Sequence, residues 1–238
     1  MTATLYGIPL SHPVITARLA LERKGVPYRE RTLLVGAHPL LLAAAGFRPT
    51  TVPALRLEGQ RIQGTLAITR ALEAVVPAPP LFPDEPAARA AVEAAERWGE
   101  ETFQPIPRRL IRRTLVLSHA QRRWFAETAM PLPAPDAVAL ALAPTARLFA
   151  RLAHSSAGST AADLAALDEH LGHVDGLIAD GVIGGGEVNA ADCQIAPTVR
   201  MLLAFADLRD RVEAHAPATA LARRLVPDYP DIPAALPG

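Results

Sequence analysis

This sequence is short of cysteine, signal-peptide character and long apolar runs, and each shortage limits what it can be. Its single cysteine, Cys193, excludes a disulfide within one chain and a cysteine metal cluster, so no metal site is predicted. One cysteine suits a reducing compartment, and the first residues lack both the basic region and the apolar run of a signal peptide, so a cytoplasmic location is expected. No stretch reaches about 18 uninterrupted apolar residues, so no membrane span is predicted.

Charge excess and aromatic residues are also scarce. Lys and Arg number 24, as do Asp and Glu, and this zero net charge argues against a nucleic-acid partner. Only 5% of the residues are aromatic although 50% are hydrophobic, so the core must consist mostly of Leu, Ala, Val and Ile. The length of 238 residues allows one large domain or two small ones.

Residues 1–76 show the pattern of an α/β domain. Apolar runs predict strands at 2–6, 26–34, 53–57 and 60–62. Helical spacing predicts helices from Ser11 to just before Gly25, within 36–46, and from Gly64 to Val76. Ser11 is placed to cap the first helix, and Pro13 lies in the first turn, where proline is favoured. The order β-α-β-α-β-β-α predicts an α/β sandwich.

Residues 77–86 contain five prolines, a density that breaks both helices and strands and predicts a linker. Residues 87–238 are predicted to be an all-helical domain. The predicted helices are 86–113 with a bend near Pro105 and Pro107, 121–130, 136–154 capped by Asp136, 163–178, and a buried helix over 189–205.

Pro53 opens an apolar strand, which is where a strand tolerates proline. Proline holds the preceding residue, Val52, in an extended conformation. If the Val52–Pro53 bond is cis, the Val52 main chain points away from the sheet and is free to pair with a peptide. The alternative is an ordinary strand start, since only about 5–6% of X–Pro bonds in folded proteins are cis.

Four segments in order carry a family resemblance. They are Leu5-Tyr6 with Leu10-Ser11-His12-Pro13, then Val52-Pro53-Ala54-Leu55, then Gln63-Gly64-Thr65-Leu66-Ala67-Ile68, and finally Asn189-Ala190-Ala191-Asp192. With them the sequence resembles the glutathione S-transferase superfamily over nearly its whole length, and most of all its theta-like and bacterial serine-type members. The resemblance implies a thioredoxin-like α/β N-terminal domain, an all-α C-terminal domain and glutathione as co-substrate.

The resemblance also implies a catalytic role for Ser11, whose hydroxyl would hold the glutathione sulfur as a thiolate, with the dipole of the helix behind it. The alternative is that Ser11 only caps the helix. Val52, ahead of Pro53, would pair with the cysteinyl unit. Gly64 and Thr65, at the start of the third helix, would bind the γ-glutamyl carboxylate through helix N–H groups and the threonine hydroxyl.

Two histidines are further glutathione-binding candidates. His12 is either a second donor to the ligand or a solvated residue at the helix start. His38 either contacts the glycyl carboxylate or is simply an exposed loop residue. Gly64 departs from the family pattern, because a Glu or Gln there usually binds the γ-glutamyl ammonium, and the direction of the Gln63 side chain is open.

The second substrate is expected between the domains, against Trp98, Phe103 and Arg108. The alternative is that Trp98 and Phe103 are core or dimer contacts. The arginines at 108–123 face either an anionic electrophile or the carboxylates of the peptide, or they form a solvated helix face. Asn189 and Asp192 are predicted to be a structural cap, and Cys193 to be inert.

The predicted function is a glutathione transferase that activates the thiol for attack on a small electrophile, a detoxification role, acting as a homodimer. One alternative is a non-catalytic binding protein with the same fold. Another is a related thiol-dependent isomerase, dehalogenase or peroxidase. No Cys-x-x-Cys is present, so a disulfide oxidoreductase is not expected.

Overall fold

The computed structural model describes residues 1–130, 132–234 and 236. Its N-terminal part is a four-stranded sheet with the strand order β2-β1-β3-β4. The strands are β1 (Ala3–Gly7), β2 (Tyr28–Thr32), β3 (Ala54–Leu57) and β4 (Gln60–Gln63). Strand β1 runs parallel to β2 and antiparallel to β3, and β3 and β4 form an antiparallel hairpin.

Three helices accompany the sheet. They are α1 (His12–Arg23), α2 (His38–Ala44) and α3 (Thr65–Val75). Helix α1 makes the crossover that two parallel strands require, and it buries Val14, Ala17 and Leu21. Because β1 and β2 are parallel, their carboxyl ends lie at the same end of the sheet. The loop that follows β1 lies at this end, which we call the sheet edge, and α1 begins there.

The remainder of the described chain is mostly helical. Its helices are α4 (Pro86–Trp98), α5 (Pro105–Leu117), α6 (His119–Ala129), α7 (Pro135–Leu152), α8 (Ala157–Ala165), α9 (Leu167–Ala179), α10 (Ala190–Ala204), α11 (Arg209–Glu213) and α12 (Ala216–Leu225). The fold class is therefore confirmed: a thioredoxin-like α/β part followed by an all-α part.

Three details of the helical part differ from the prediction. The joint between α4 and α5 is a π-helical turn, Gly99–Phe103, and Pro105 stands at the first position of α5, where its missing N–H breaks no helical bond. Asp136 lies within the first turn of α7 and is not its cap, which is Ala134. The helix predicted over 163–178 is divided at Ala166: α8, which Ser156 and Ser159 cap at its start, ends at Ala165, and α9 begins at Leu167.

One hydrophobic core joins the sheet to the helices. Leu5 and Leu55 from the sheet and Ile68 from α3 share a buried cluster with Phe103 and with α10. Helix α10 is buried on almost every side, as its near-continuous apolar sequence predicts. The segment between α3 and α4 is held by the buried Lys24, whose ammonium donates to the carbonyls of Pro77 and Pro79.

Candidate functional site

A cavity of about 260 Å³ lies between the sheet edge and helices α5, α6 and α7. The loop after β1 supplies Ser11, the start of α1 supplies His12, and the start of α2 supplies His38. Val52 and Arg108 complete the set of sequence-predicted residues that line it. Five other predicted site residues are not among the described residues that line the cavity: Pro53, Gly64, Thr65, Trp98 and Phe103.

Ser11 occupies the N-cap position of α1, yet its side chain does not cap the helix. Only its carbonyl takes part, accepting hydrogen bonds from the N–H groups of Val14 and Ile15. Within the described chain the hydroxyl has no hydrogen-bond partner, so the prediction of a side-chain cap is wrong. The hydroxyl is instead available to a ligand at the positive end of the α1 dipole.

Leu10 and Tyr229 position the loop that carries Ser11. Leu10 has a φ of +60°, a left-handed conformation that costs a non-glycine residue about 1–2 kcal/mol. The Tyr229 hydroxyl donates a 2.7 Å hydrogen bond to the Leu10 carbonyl. Burial raises the pKa of Tyr229, so the donor stays protonated. Nothing in the sequence indicates that a residue 219 positions away holds this loop.

The Val52–Pro53 peptide bond is cis, and β3 begins only at Ala54. The Val52 N–H and C=O therefore stay outside the ladder, and no described residue makes a hydrogen bond with either group. The side chain of Gln63 donates a 2.8 Å bond to the Thr51 carbonyl, which braces this loop from β4 and settles the direction of Gln63. Val52 and Ser11 line the same cavity.

His12 is buried, with 3% of its surface exposed, so the interpretation as a solvated residue is wrong. Its Nε2 lies 3.2 Å from the Gln104 carbonyl. Burial, and then the charge of Arg108, lower the pKa of His12 to about 3, so the neutral ring donates to Gln104. This contact joins the start of α1 to the start of α5.

His38 is the first residue of α2, and its ring lies against that of Phe149, with 6.5 Å between centroids. Its Nδ1 is buried and has no partner among the described residues. Burial and the nearby Arg112 lower the pKa of His38, which favours the neutral ring. The interpretation as a free loop residue is wrong, because the ring lies against the cavity.

Gly64 and Thr65 begin α3 beyond the cavity lining. Gly64 has a φ of +84°, and a side chain there would meet nothing within 4 Å. The Thr65 hydroxyl donates to a carboxylate oxygen of Glu100 at 2.5 Å, and Thr65 is 2% exposed. The hydroxyl is therefore occupied inside the protein, and the prediction that it binds an anion is wrong. No described residue accepts a hydrogen bond from the N–H groups of the first turn of α3.

Glu100, in the π-helical turn, was not predicted as a site residue, and no sequence motif points to it. Its Oε2 accepts hydrogen bonds from Thr65, Gln104 and Gln194. Its Oε1 has no partner in the described chain and is not sealed from solvent. All three donors are uncharged, and Arg108, which bonds to the same Gln104 side chain, acts on Glu100 electrostatically without forming an ion pair with it.

Arg108 lines the cavity, as predicted for the second-substrate wall, and Arg112 lies one turn further along α5 on the same side. The Arg108 guanidinium donates a 2.7 Å bond to Gln104 Oε1. Arg112 makes no hydrogen bond or ion pair with any described residue. Burial, and then Arg108, lower the pKa of Arg112 to about 10.

Trp98 and Phe103, the other residues predicted for that wall, lie in the helical core. Phe103 is fully buried and stacks on Trp98 with 5.1 Å between ring centroids. Trp98 also meets His173 edge-on. The prediction is wrong for these two residues, because their rings contact His170 and His173 of α9 and do not line the cavity. Trp124 and Phe125 of α6 and Phe149 of α7 form the aromatic wall instead.

Asn189 and Asp192 form a reciprocal cap away from the cavity. Asn189 Oδ1 accepts from the N–H groups of Ala191 and Asp192, and Asp192 Oδ2 accepts from the Asn189 N–H. Asp192 Oδ1 also accepts from the Gly184 N–H at 2.7 Å. Cys193 beside them is fully buried, and burial raises the pKa of its thiol.

Within the described ranges, no group of three or more His, Cys, Asp or Glu side chains is placed to hold a metal ion. No helix in the same ranges combines the length and apolar character needed to cross a membrane.

Comparison with known proteins identifies the fold. Residues 5–80 match the family model of the glutathione S-transferase N-terminal domain. β-Etherase LigF from Sphingobium has a TM-score of 0.65 and 16% identity, covering 98% of this chain and 97% of that chain. FzlA from C. crescentus has a TM-score of 0.61 and 22% identity, covering 99% of this chain and 96% of that chain.

A glutathione transferase homologue from Sulfitobacter, solved with bound glutathione, has a TM-score of 0.53 and 17% identity, covering 95% of this chain and 93% of that chain. A search of curated proteins finds no match. The structural likeness establishes the fold, and the family model covers the segment that carries Ser11 and Val52. The chain thus has the glutathione S-transferase fold, and its residues 5–80 match the N-terminal domain of that family.

Proposed function

We propose that this protein is a glutathione-dependent transferase in which Ser11 holds the glutathione sulfur as a thiolate for attack on a small electrophile. The observation that carries the proposal is the unpartnered Ser11 hydroxyl at the N-terminus of α1, beside the unpaired main chain of Val52. An extended peptide can pair with Val52 as an added strand would, which brings a cysteinyl sulfur to Ser11.

Ser11 contributes as a donor and not as a nucleophile. A free thiol has a pKa of about 8.5, and a hydrogen bond to a charged group is worth about 1.5–3 kcal/mol. Since 1.4 kcal/mol corresponds to about one pKa unit, the hydroxyl lowers the pKa of the bound thiol by about one to two units. His12 is buried, neutral and bonded to Gln104, so it positions α1 and offers no proton to the sulfur.

The γ-glutamyl group is a zwitterion and needs both an anion site and a cation site. The unpaired N–H groups that begin α3 receive its carboxylate. Glu100 receives its ammonium on the free Oε1, across the open space that Gly64 leaves. Glu100 thereby takes the role that the absent side chain at position 64 cannot perform.

The test is an ultraviolet titration of the thiolate of bound glutathione in the wild type and in Ser11→Ala. We expect the variant to raise the pKa of the bound thiol by about one to two units. S-methylglutathione, which has no thiol proton, serves as the control and should bind both proteins equally. The same thiol pKa in both proteins would remove Ser11 from the chemistry.

A non-catalytic binding protein is the second candidate, and Gly64 favours it, since glycine removes a ligand contact that the family pattern supplies. This candidate predicts that glutathione binds without any lowering of its thiol pKa. The same titration therefore separates the two functions.

A further inference from the structure

One of the two arginines on the α5 wall of the cavity, Arg112, has a charge that no carboxylate of the described residues balances, whereas Arg108 interacts electrostatically with Glu100. Arg108 and Arg112 point into the space between the sheet edge and α5–α7, and none of the described lining residues is acidic. Two arginines elsewhere in the described helical part have carboxylate partners: Arg109 forms a bidentate pair with Asp163, and Arg211 with Asp168. A partly buried cation without a counter-ion is costly, which indicates a site for an anion.

The third arginine of the cavity wall, Arg122, differs from Arg112 because its hydrogen-bond donors are used within the protein. The Arg122 guanidinium donates to the carbonyls of Ala139 at 3.0 Å and Leu115 at 2.9 Å, so its donors are used in joining α6 to α5 and α7. Arg108 gives one hydrogen bond to Gln104. Arg112 gives none to the described chain, and it is the group best able to receive an oxyanion.

The rest of this side of the cavity is apolar. Ile111 and Leu115 flank Arg112 on α5, Trp124 and Phe125 come from α6, and Phe149 comes from α7. An anion that fills this space therefore carries an apolar body of about the size of one or two rings. The glycyl end of glutathione has a carboxylate but no such body, so it leaves the aromatic wall uncovered.

We infer that the cavity selects an apolar, ring-containing molecule with one carboxylate, which Arg112 binds with the help of Arg108. The identification of this ligand as the electrophile rests on the proposed function, whereas the binding itself does not. The placement is also consistent with that chemistry, because Ser11 and Val52 line the same cavity.

Calorimetry with naphthylacetate and its neutral isostere naphthylacetamide tests the inference without any thiol. The wild type should bind the carboxylate at least tenfold more tightly than the amide, a difference of about 1.4 kcal/mol. Arg112→Gln should abolish the preference, and Arg112→Lys should keep part of it. Arg113→Gln is the matched control, since Arg113 is the next residue on α5 and does not line the cavity.

Equal affinity for the two compounds in the wild type, or no binding of either, would overturn the inference without use of any variant. A preference that persists in Arg112→Gln would overturn the role of Arg112. Naphthylacetate should still bind in the presence of saturating S-methylglutathione. If naphthylacetate and S-methylglutathione instead compete directly, and Arg112→Gln weakens the binding of S-methylglutathione, the arginines bind the peptide and the inference is rejected. Ser11→Ala should leave the carboxylate preference unchanged, so failure of the thiol chemistry is distinguishable from failure of this site.

Discussion

Replacement of Glu100 by glutamine should weaken the binding of glutathione, and the structure sets the size of the effect. The carboxylate has a free oxygen, Oε1, and forms no ion pair with a described residue, although the Arg108 charge acts on it from a longer distance. At 4 Å, an ammonium and a carboxylate attract each other by about 4 kcal/mol at an effective dielectric constant of about 20. Glu100 is only partly buried, and solvent screening reduces this value to about 1–2 kcal/mol, or about a 5- to 30-fold change in Kd.

The assay is calorimetry with glutathione and with an analogue whose γ-glutamyl amino group is replaced by hydrogen. The wild type should prefer glutathione by about 5- to 30-fold, and Glu100→Gln should bind both compounds with nearly equal affinity. Glutamine keeps an oxygen that can accept from Thr65, so the contact with α3 is retained. Glu101→Gln is the matched control, because Glu101 is the exposed neighbour in the same π-helical turn.

Two results would refute this reasoning. Tighter binding of glutathione by Glu100→Gln would mean that Glu100 repels the γ-glutamyl carboxylate and occupies its place. An equal loss of affinity for glutathione and for the analogue would mean that Glu100 acts only by holding Thr65 and Gln104 in position.

Three further predictions concern the supports of the site. Tyr229→Phe removes the donor to the Leu10 carbonyl, so urea denaturation should show that the free energy of unfolding falls by about 1–2 kcal/mol, and kcat should fall. Unchanged kinetics would show that Tyr229 does not position Ser11. His12 has its pKa lowered from 6.5 to about 3, so the unfolded chain binds more protons in this window and stability falls as the pH falls. Urea curves across this range should lose up to about 1.4 kcal/mol per pH unit more in the wild type than in His12→Gln, and parallel losses would contradict the assignment. Cys193 should not react with a thiol reagent until the protein unfolds, and rapid labelling of the native protein would show that α10 opens.

The thioredoxin-like part could be predicted closely because its signals are local. Pro13 in a first turn, Gly25 after the end of α1 and Glu58-Gly59 between two apolar runs fix elements through backbone conformation alone. Boundaries in the helical part were predicted less well. The π-helical turn at Gly99–Phe103 and the division at Ala166 leave no mark in an apolar repeat that runs on through both.

Side-chain direction is where sequence reasoning failed at the site. Ser11 has the residue type of a cap, but its hydroxyl is left without a partner. Thr65 has the residue type of an anion ligand, but Glu100, 35 positions away, takes its hydroxyl. Trp98 and Phe103 are aromatic and close to Arg108 in sequence, yet their rings contact histidines of α9 and do not line the cavity.

The sequence alone determined the fold class and the order of the elements of the N-terminal part, which follow from spacing, proline and glycine acting over a few residues. The family resemblance implied that Ser11, Val52 and His38 meet at one site, and in the structure the three residues line one cavity. The tertiary structure decided which polar groups have no partner among the described residues: the Ser11 hydroxyl, the second oxygen of Glu100 and the Arg112 guanidinium. Whether a group is free depends on every segment that packs around it, including residues such as Tyr229 and Gln104 that lie far away in the chain.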